Sequence, residues 1–208
     1  VTGNTRRYGA SLEKIKKVIE PRPGEIMFGL NMIVNKGKTV FVGDTSVHEY
    51  PSSEQLVEIA ISSARVVRLF GFDPKVAFVS HSTFGQPLTS RTKHIKNAVD
   101  MLKEKNVDFQ FDGDMQPDVA LNKQYKELYP FSSIVGNANI LIMPGQHSAA
   151  ISYKMMRELG GAKVIGPLLI GLAQPIEIAP LRSSTSDILN LASVAAYSAG
   201  VINYKNKN

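Results

Sequence analysis

Apolar residues near the beginning of this chain fall into two short runs. Residues 26–34 and 39–42 are rich in Ile, Val and Phe, and the polar segment 35–38, which contains a Gly, separates them. Short apolar runs bounded by turn-forming residues are typical of β-strands. The sequence therefore predicts a β-hairpin over residues 26–42.

A helix, a strand, a loop and a second helix are predicted after the hairpin. Residues 56–70 carry apolar side chains at helical spacing, follow the N-cap residue Ser52 and end at a Gly, so they are predicted as a helix. The short apolar run 76–79 predicts a buried strand. The polar loop 80–85 leads from this strand to a predicted helix over residues 90–104.

The same alternation continues to the end of the chain. The later predicted elements are a strand at 109–111, a strand at 140–143, a helix at 148–159, a strand opening at 163 and a helix at 184–198. This order favours an α/β fold with a mostly parallel sheet and helices on both faces. In such a sheet the polar loops 80–85 and 145–148 are expected at the carboxyl ends of strands, where ligands bind.

Composition sets limits on the class of protein. The 208 residues include 43% hydrophobic and 20% charged residues, as in an ordinary globular protein, and no Cys, which excludes disulfides and thiolate sites and suits a cytoplasmic protein. The longest apolar run, residues 164–173, is well short of the roughly twenty residues that a membrane-spanning helix needs. We take the first residue, Val1, as a cut inside a longer chain.

The net charge of +6 raises the question of nucleic-acid binding. The cations are scattered along the chain, and the basic group on the predicted helix 90–104 is accounted for by a solvated helix face. No aromatic-rich motif for single-stranded nucleic acid accompanies the charge. We therefore expect no nucleic-acid partner, and an anionic small ligand is the remaining use for the positive charge.

Metal and nucleotide motifs are missing from the sequence. Neither a dinucleotide fingerprint nor a P-loop occurs, and the four His residues are widely spaced. Asp112 and Asp114 flank a Gly and could hold a divalent cation, but Asp-Gly-Asp in a loop after a strand is more typical of turn and helix-cap chemistry. No metal site is predicted.

The loop after the predicted strand 76–79 is rich in hydroxyl groups. Ser80, His81, Ser82 and Thr83 are adjacent, and neighbours along an extended segment point in opposite directions, so His81 is badly placed to activate either Ser. Backbone amides at the edge of a sheet are suited to anions. Ser80, Ser82 and Thr83 are therefore predicted to bind an anionic effector.

Four ordered segments resemble the phosphotransacetylase family, that is, the phosphate acetyl/butyryltransferases. They are residues 76–85, 112–121, 136–144 and 153–175. The resemblance implies a phosphotransacetylase-like fold, related to isocitrate and isopropylmalate dehydrogenases, with two α/β subdomains around a cleft. Residues 1–178 then correspond to the second subdomain and residues 179–208 to a segment that returns to the first, so the chain would be a fragment.

Within that family the chain is most similar to the domain at the C-terminal end of bacterial multimodular NADP-dependent malic enzymes. The similarity is carried by residues 1–6, the loop 80–85, residues 143–149 and residues 178–181. It implies a homo-oligomer that responds to acetyl-coenzyme A (acetyl-CoA). It also implies that malate is converted to pyruvate and CO2, with NADP and a divalent metal, in an N-terminal catalytic domain of the same parent chain.

The chain departs from the family where acetyl transfer would occur. Pro180 and Leu181 stand at the positions of the family's Ser and Arg, and only Asp187 of that motif is retained. Transfer needs an oxyanion donor and a cation for phosphate, and neither Pro nor Leu supplies one. No catalytic residue is therefore predicted.

Two uses of the last predicted helix remain open. Arg182, Ser183, Ser184 and Asp187 are predicted to bind the effector at its start, while helix capping is the alternative for Ser184. A non-catalytic regulatory and oligomerisation domain is the leading hypothesis. An active phosphate acetyltransferase, which would convert acetyl-CoA and phosphate to acetyl phosphate and coenzyme A, is the alternative.

Overall fold

The structure is a computed structural model that describes residues 1–205. Its elements in chain order are β1 (Thr2–Gly3), α1 (Tyr8–Ile15), β2 (Phe28–Asn35), β3 (Lys38–Gly43), α2 (Ser53–Leu69), β4 (Lys75–Val79), α3 (Ser90–Glu104), β5 (Gln110–Met115), α4 (Pro117–Leu121), α5 (Lys123–Lys126), β6 (Ile140–Ile142), α6 (Gln146–Glu158), β7 (Lys163–Ile170), β8 (Ile178–Ala179) and α7 (Thr185–Lys205).

The main sheet has the strand order β5-β4-β6-β3-β2-β7. Strands β5, β4, β6 and β3 are mutually parallel, whereas β2 is antiparallel to both of its neighbours. The turn between β2 and β3 is too short for a parallel crossover, so the predicted hairpin is confirmed. Because β2 is the exception, five of the six strands run in one direction. The predicted α/β fold with a mostly parallel sheet is confirmed.

Two hydrophobic cores lie on the two faces of the sheet. On one face Val76 and Phe78 of β4 pack with residues of α2 and α3, and on the other Ala77 and Val79 pack with residues of α4 and α6. Successive side chains of a strand point to opposite faces, so a strand covered on both sides is apolar throughout. The continuous apolar run 76–79 is explained in this way.

Helices α2 and α3 begin at hydroxyl caps. The Ser52 hydroxyl accepts a hydrogen bond from the Gln55 amide while the Gln55 side chain accepts one from the Ser52 amide, which is a capping box. Thr89 and Thr92 form the same arrangement at α3. Both helices lie where the sequence predicts them, because the cap and the apolar spacing are local signals.

Some elements differ from the prediction. The segment Asp112-Gly113-Asp114 belongs to β5 and is not a loop after a strand. Both carboxylates accept hydrogen bonds from distant segments, which local turn propensity does not register. Helix α1 is not among the predicted elements, and β7 continues to Ile170.

The start of the chain meets the segment before α7 in a small second sheet. Thr2 and Gly3 of β1 pair in parallel with Ile178 and Ala179 of β8. This pairing brings the start of α1 next to the tail that contains Pro180. The division of the chain at residue 178 stays a prediction, and residues 206–208 of the predicted tail lie outside the described residues.

No helix among residues 1–205 is long and apolar enough to cross a membrane.

Candidate functional site

The hydroxyl-rich loop 80–85 lies at the carboxyl end of β4, as predicted. The Ser82 hydroxyl is fully buried and donates to Asp114, and it also contacts the Ser80 hydroxyl at 3.2 Å. The second carboxylate oxygen of Asp114 accepts from the Gly85 amide at 3.0 Å. The hydrogen-bonding groups of Ser80 and Ser82 are therefore used inside the fold.

Thr83 is held in the same way. Its hydroxyl accepts from the Gln116 amide at 3.3 Å, and its backbone pairs with Gln86. Thr83 is buried, and neither it nor Ser80 or Ser82 lines the large cleft described next. The structure thus separates these three predicted effector-binding residues from those near the last helix.

A cleft of about 680 Å³ lies between α6, β7, the start of α1 and the start of α7. Its floor is formed by Gly166 and Pro167 of β7. The tail segment in which the resemblance predicts the effector-binding residues lines this cleft with Pro180, Leu181, Arg182, Ser183 and Asp187. The structure therefore brings the predicted residues of the tail into one cavity, whereas Ser184 is absent from its wall.

The wall of the cleft is strongly positive. Its cations are Arg7, Lys154, Arg157, Lys163 and Arg182, and its one carboxylate is Asp187. Arg157 pairs with the neighbouring Glu158, at 2.7 Å, while the other four cations have no carboxylate within ion-pair distance among the described side chains. Unpaired cations in a concave, partly desolvated site attract anions.

The start of α7 is fixed by a reciprocal cap. The Ser184 hydroxyl and amide both donate to Asp187, and the Asp187 amide donates back to the Ser184 hydroxyl at 3.2 Å. Hydrogen bonds from Ser184 hold the pKa of Asp187 below its usual value, so this carboxylate stays ionised. The geometry thus gives Ser184 the capping role.

One end of the cleft is lined by neutral hydroxyl groups. Tyr8 and Ser46 approach each other with their hydroxyl oxygens 3.5 Å apart, and Tyr153 lies nearby on α6. Burial raises the pKa values of both Tyr8 and Tyr153, so both phenols are protonated at neutral pH. This end can donate and accept hydrogen bonds without carrying charge.

The cleft is rich in cations, and two residues of its tail segment have little capacity to donate hydrogen bonds into it. Pro180 offers neither an amide N–H nor a side-chain donor, and Asp187 is bound to Ser184. Among the described residues no group of His, Asp and Glu side chains could hold a metal ion. The cleft thus combines a cationic wall with neutral hydroxyl groups.

Several cleft residues were not predicted as site residues. Tyr8, Ser46, Tyr153 and Lys163 come from four separate segments, and only the fold brings them together. A signal existed for Tyr153, because it belongs to a segment that carries the family resemblance.

Comparison with known proteins agrees with this fold. Residues 1–196 match the family described as phosphate acetyl/butaryl transferase. The NADP-dependent malic enzyme of Rhizobium meliloti is 46% identical over 200 residues, which cover 96% of this chain and 26% of that enzyme. The phosphate acetyltransferase of Clostridium acetobutylicum is 32% identical over 209 residues, covering 96% of this chain and 62% of the relative.

A solved structure confirms the phosphotransacetylase-like fold. The phosphotransacetylase of Streptococcus pyogenes superposes with a TM-score of 0.88 at 28% identity, over 95% of this chain and 61% of that one. This chain spans about a quarter of the length of the malic enzymes that it matches. The chain belongs to the phosphate acetyl/butaryl transferase family.

Proposed function

We propose that this chain is a regulatory domain of an NADP-dependent malic enzyme, that it binds acetyl-CoA in the cleft, and that it does not transfer acetyl groups. The observation that carries the proposal is the contrast within one cavity. The cleft has four cations without a carboxylate in ion-pair distance among the described side chains, yet Pro180 and Leu181 occupy the place where the family resemblance requires a Ser and an Arg.

The loss of activity follows from what the transfer step requires. Attack of the coenzyme A thiol on acetyl phosphate develops negative charge on the carbonyl oxygen, and a preorganised donor there contributes about a hundredfold or more in rate. Pro180 cannot donate, and Leu181 cannot neutralise a phosphate. Arg182 is one residue further along and lies on the cleft wall, where it supplies binding charge.

Regulation needs only binding that differs between two states. A ligand that binds one conformation of the parent enzyme more tightly shifts the population toward it, and this shift alters malate turnover elsewhere. In this proposal NADP and a divalent metal act in the catalytic domain of the same parent chain. The parent is a homo-oligomer, and we expect this domain to contribute to its assembly.

Phosphate acetyltransferase activity is the competing function. The relative from Clostridium acetobutylicum bears that name, and the cleft cations would hold phosphate. The two functions differ in one measurement, because an acetyltransferase forms acetyl phosphate from acetyl-CoA and phosphate. We expect the full-length parent to show no formation above the uncatalysed rate, and measurable turnover would replace the regulatory proposal.

The test of the regulatory proposal is a dose–response curve. In the full-length parent, malate-dependent NADPH formation is measured against acetyl-CoA concentration, and each variant is normalised to its own rate without effector. Because two ligand-facing cations are removed, Lys163→Ala with Arg182→Ala should raise the half-maximal concentration about tenfold or more. Arg68→Ala on α2, a cation outside the cleft, is the matched control and should leave the curve in place. If the curves of the double variant and the original protein coincided, the effector would bind outside the cleft.

A further inference from the structure

A second, smaller cavity lies between α2, β7 and α7, and we call it the α2–α7 pocket. Its volume is about 120 Å³, which is room for several water molecules, and it shares no lining residue with the cleft. Much of its wall is apolar, with Phe70 from the end of α2, Leu168 and Ile170 from β7, and Val194 from α7. An apolar cavity with a few polar groups is the usual form of a small-molecule site.

Glu177 contributes a buried carboxyl group to this pocket. The residue is only 3% exposed, and one carboxyl oxygen accepts a hydrogen bond from the Leu169 amide at 3.0 Å. The other oxygen has no hydrogen-bond partner among the described residues. Burial raises the pKa of Glu177 to about 8, while the Leu169 amide and the Val1 ammonium lower it by less. At neutral pH the free oxygen therefore carries a proton that it can donate.

Two guanidinium groups lie at the entrance of the same pocket. Arg22 and Arg65 both line it, and both pair with Glu25, at 3.4 Å and 2.8 Å respectively. Two cations that share one carboxylate leave an excess of one positive charge. The Arg side chains are 39% and 50% exposed, whereas Glu177 is buried, so the pocket has a cationic entrance and an acid group inside.

We propose that the α2–α7 pocket binds a short-chain monocarboxylate. Its carboxylate would accept a hydrogen bond from the Glu177 carboxyl and pair with the guanidinium groups of Arg22 and Arg65, which present forked donors suited to a carboxylate. Its hydrocarbon chain would lie against the apolar wall. The inference goes beyond the proposed function and does not depend on it, because the pocket is separate from the cleft.

Other ligand classes fit these groups less well. An alkylammonium ion would meet the excess positive charge of Arg22 and Arg65. A dicarboxylate or a phosphate would bring further charge against the apolar wall, where the described residues offer it no partner, and burying an unpaired charge is costly. A neutral alcohol would forgo the ion pairing. The pocket volume also limits the chain to a few carbon atoms.

The proposal links binding to the proton on Glu177. A ligand carboxylate beside this residue favours its protonated form, and ionised Glu177 would repel the ligand. Affinity should therefore be complete well below pH 8 and fall about tenfold between pH 7 and 9. The other charged or titratable side chains of the wall are Arg22, Glu25, Arg65 and Tyr197. Because Glu177→Gln alters none of them, it isolates the contribution of Glu177.

The experiment is a titration of the protein with butyrate, followed by saturation-transfer NMR at pH 7 and pH 9. We expect a dissociation constant on the order of 1 mM at pH 7 and no saturation by butylammonium, which has a chain of the same length. Glu177→Gln keeps a hydrogen-bond donor at both pH values, so it should retain the pH 7 affinity within about twofold and lose the tenfold fall at pH 9. Arg65→Gln removes the excess charge and should weaken binding about fivefold.

The matched control removes cations from the other cavity. Lys163→Ala with Arg182→Ala should leave butyrate binding unchanged, since both residues line the cleft and neither lines the α2–α7 pocket. Loss of butyrate binding in this double variant would assign the ligand to the cleft and overturn the proposal. No saturation by up to about 50 mM butyrate, equal binding of butylammonium, or the same pH dependence in Glu177→Gln would overturn it as well. Thermal unfolding of each variant shows whether a loss of binding reflects a loss of fold, and the pH dependence of Glu177→Gln decides the matter if Arg65→Gln is unfolded.

Discussion

The loop 80–85 and the cleft beside α7 are both polar, but they use their polar groups differently. In the loop, Ser82 and the Gly85 amide both donate to the buried Asp114. In the cleft, Lys163 and Arg182 have no carboxylate within ion-pair distance among the described side chains, and the buried side-chain nitrogen of Asn190 has no hydrogen-bond partner there. Polar groups at the end of a strand can therefore be used up inside the fold, as in the loop, or keep hydrogen-bonding and charge capacity toward a cavity, as in the cleft.

The largest expected effect is on the loop. Asp114→Ala leaves the buried Ser82 hydroxyl and the Gly85 amide without their acceptor, so we expect it to lower the free energy of unfolding by about 4 kcal/mol. Urea denaturation measures the change. Asp100→Ala, at an exposed ion pair on α3, is the control and should cost less than about 1 kcal/mol. Equal losses in the two variants would contradict the locking role of Asp114.

The next effect depends on pH. Glu177 is buried, and its carboxylate accepts a hydrogen bond from the Leu169 amide at 3.0 Å. The Asp114 carboxylate, by comparison, accepts from both Ser82 and Gly85. Burial raises the pKa of Glu177 to about 8, so between pH 5 and 8 the folded protein keeps a proton that the unfolded chain releases. The stability contributed by this proton is complete at low pH and is lost as the pH rises through that range.

The size of this pH effect is on the order of 3 kcal/mol between pH 5 and 8. Glu177→Gln, which keeps a neutral polar group at every pH, should flatten the slope of unfolding free energy against pH. Denaturation curves at pH 5, 6.5 and 8 test this expectation. Parallel pH slopes for the two proteins would show that Glu177 is ionised in the folded state.

A smaller effect is expected at Ser184, which caps α7 beside the cleft. Ser184→Ala removes the cap of α7 and frees the Asp187 carboxylate, which should lower the unfolding free energy by about 1 kcal/mol. Because Ser184 does not line the cleft, anion affinity should change far less than with Arg182→Ala. Thermal unfolding and calorimetry together measure both quantities. A larger loss of affinity than of stability would make Ser184 a ligand contact.

The smallest expected effect is a gain in stability. Arg182 has a φ of 62°, a left-handed conformation that costs side chains more than Gly. Arg182→Gly should therefore raise the unfolding free energy by about 0.5 kcal/mol while weakening anion binding, as expected where function maintains backbone strain. Arg182→Ala removes the same charge and keeps the strain, so it should weaken binding without stabilising. If the Gly variant were less stable than the Ala variant, the strain would be absent.

The sequence predicted the fold far better than the cleft. Helix α3 and the cap of α2 at Ser52 depend on signals within a few residues. By contrast, Asp112 and Asp114 were placed in a loop because Asp and Gly favour turns locally, whereas their actual partners, Ser133 and Gly85, are distant in sequence. Tertiary hydrogen bonds decided that segment.

For the site, the sequence predicted residues of the tail that the structure brings into one cavity, and the chemistry of these residues stays a prediction. The expectation that the family's Ser and Arg are replaced depends on Pro180 and Leu181 alone, and it stays a prediction. Which hydroxyl groups line the cleft cannot be read from the sequence, because Ser82 and Ser183 look alike there and differ only in what surrounds them. One is buried against Asp114, and the other lines the cleft.

The small sheet of β1 and β8 sets the order in which parts of the molecule come together. Its pairing of Thr2 with Ile178 closes most of the chain into one loop. Because closing so long a loop costs chain entropy and forms few hydrogen bonds, we expect this sheet to form late in folding and to open first. The cleft needs Arg7 and Tyr8 from one side of that closure and Arg182 from the other. A bound ligand would contact both segments joined by this closure. We therefore expect ligand addition to slow amide hydrogen exchange more in β1 and β8 than in the main sheet.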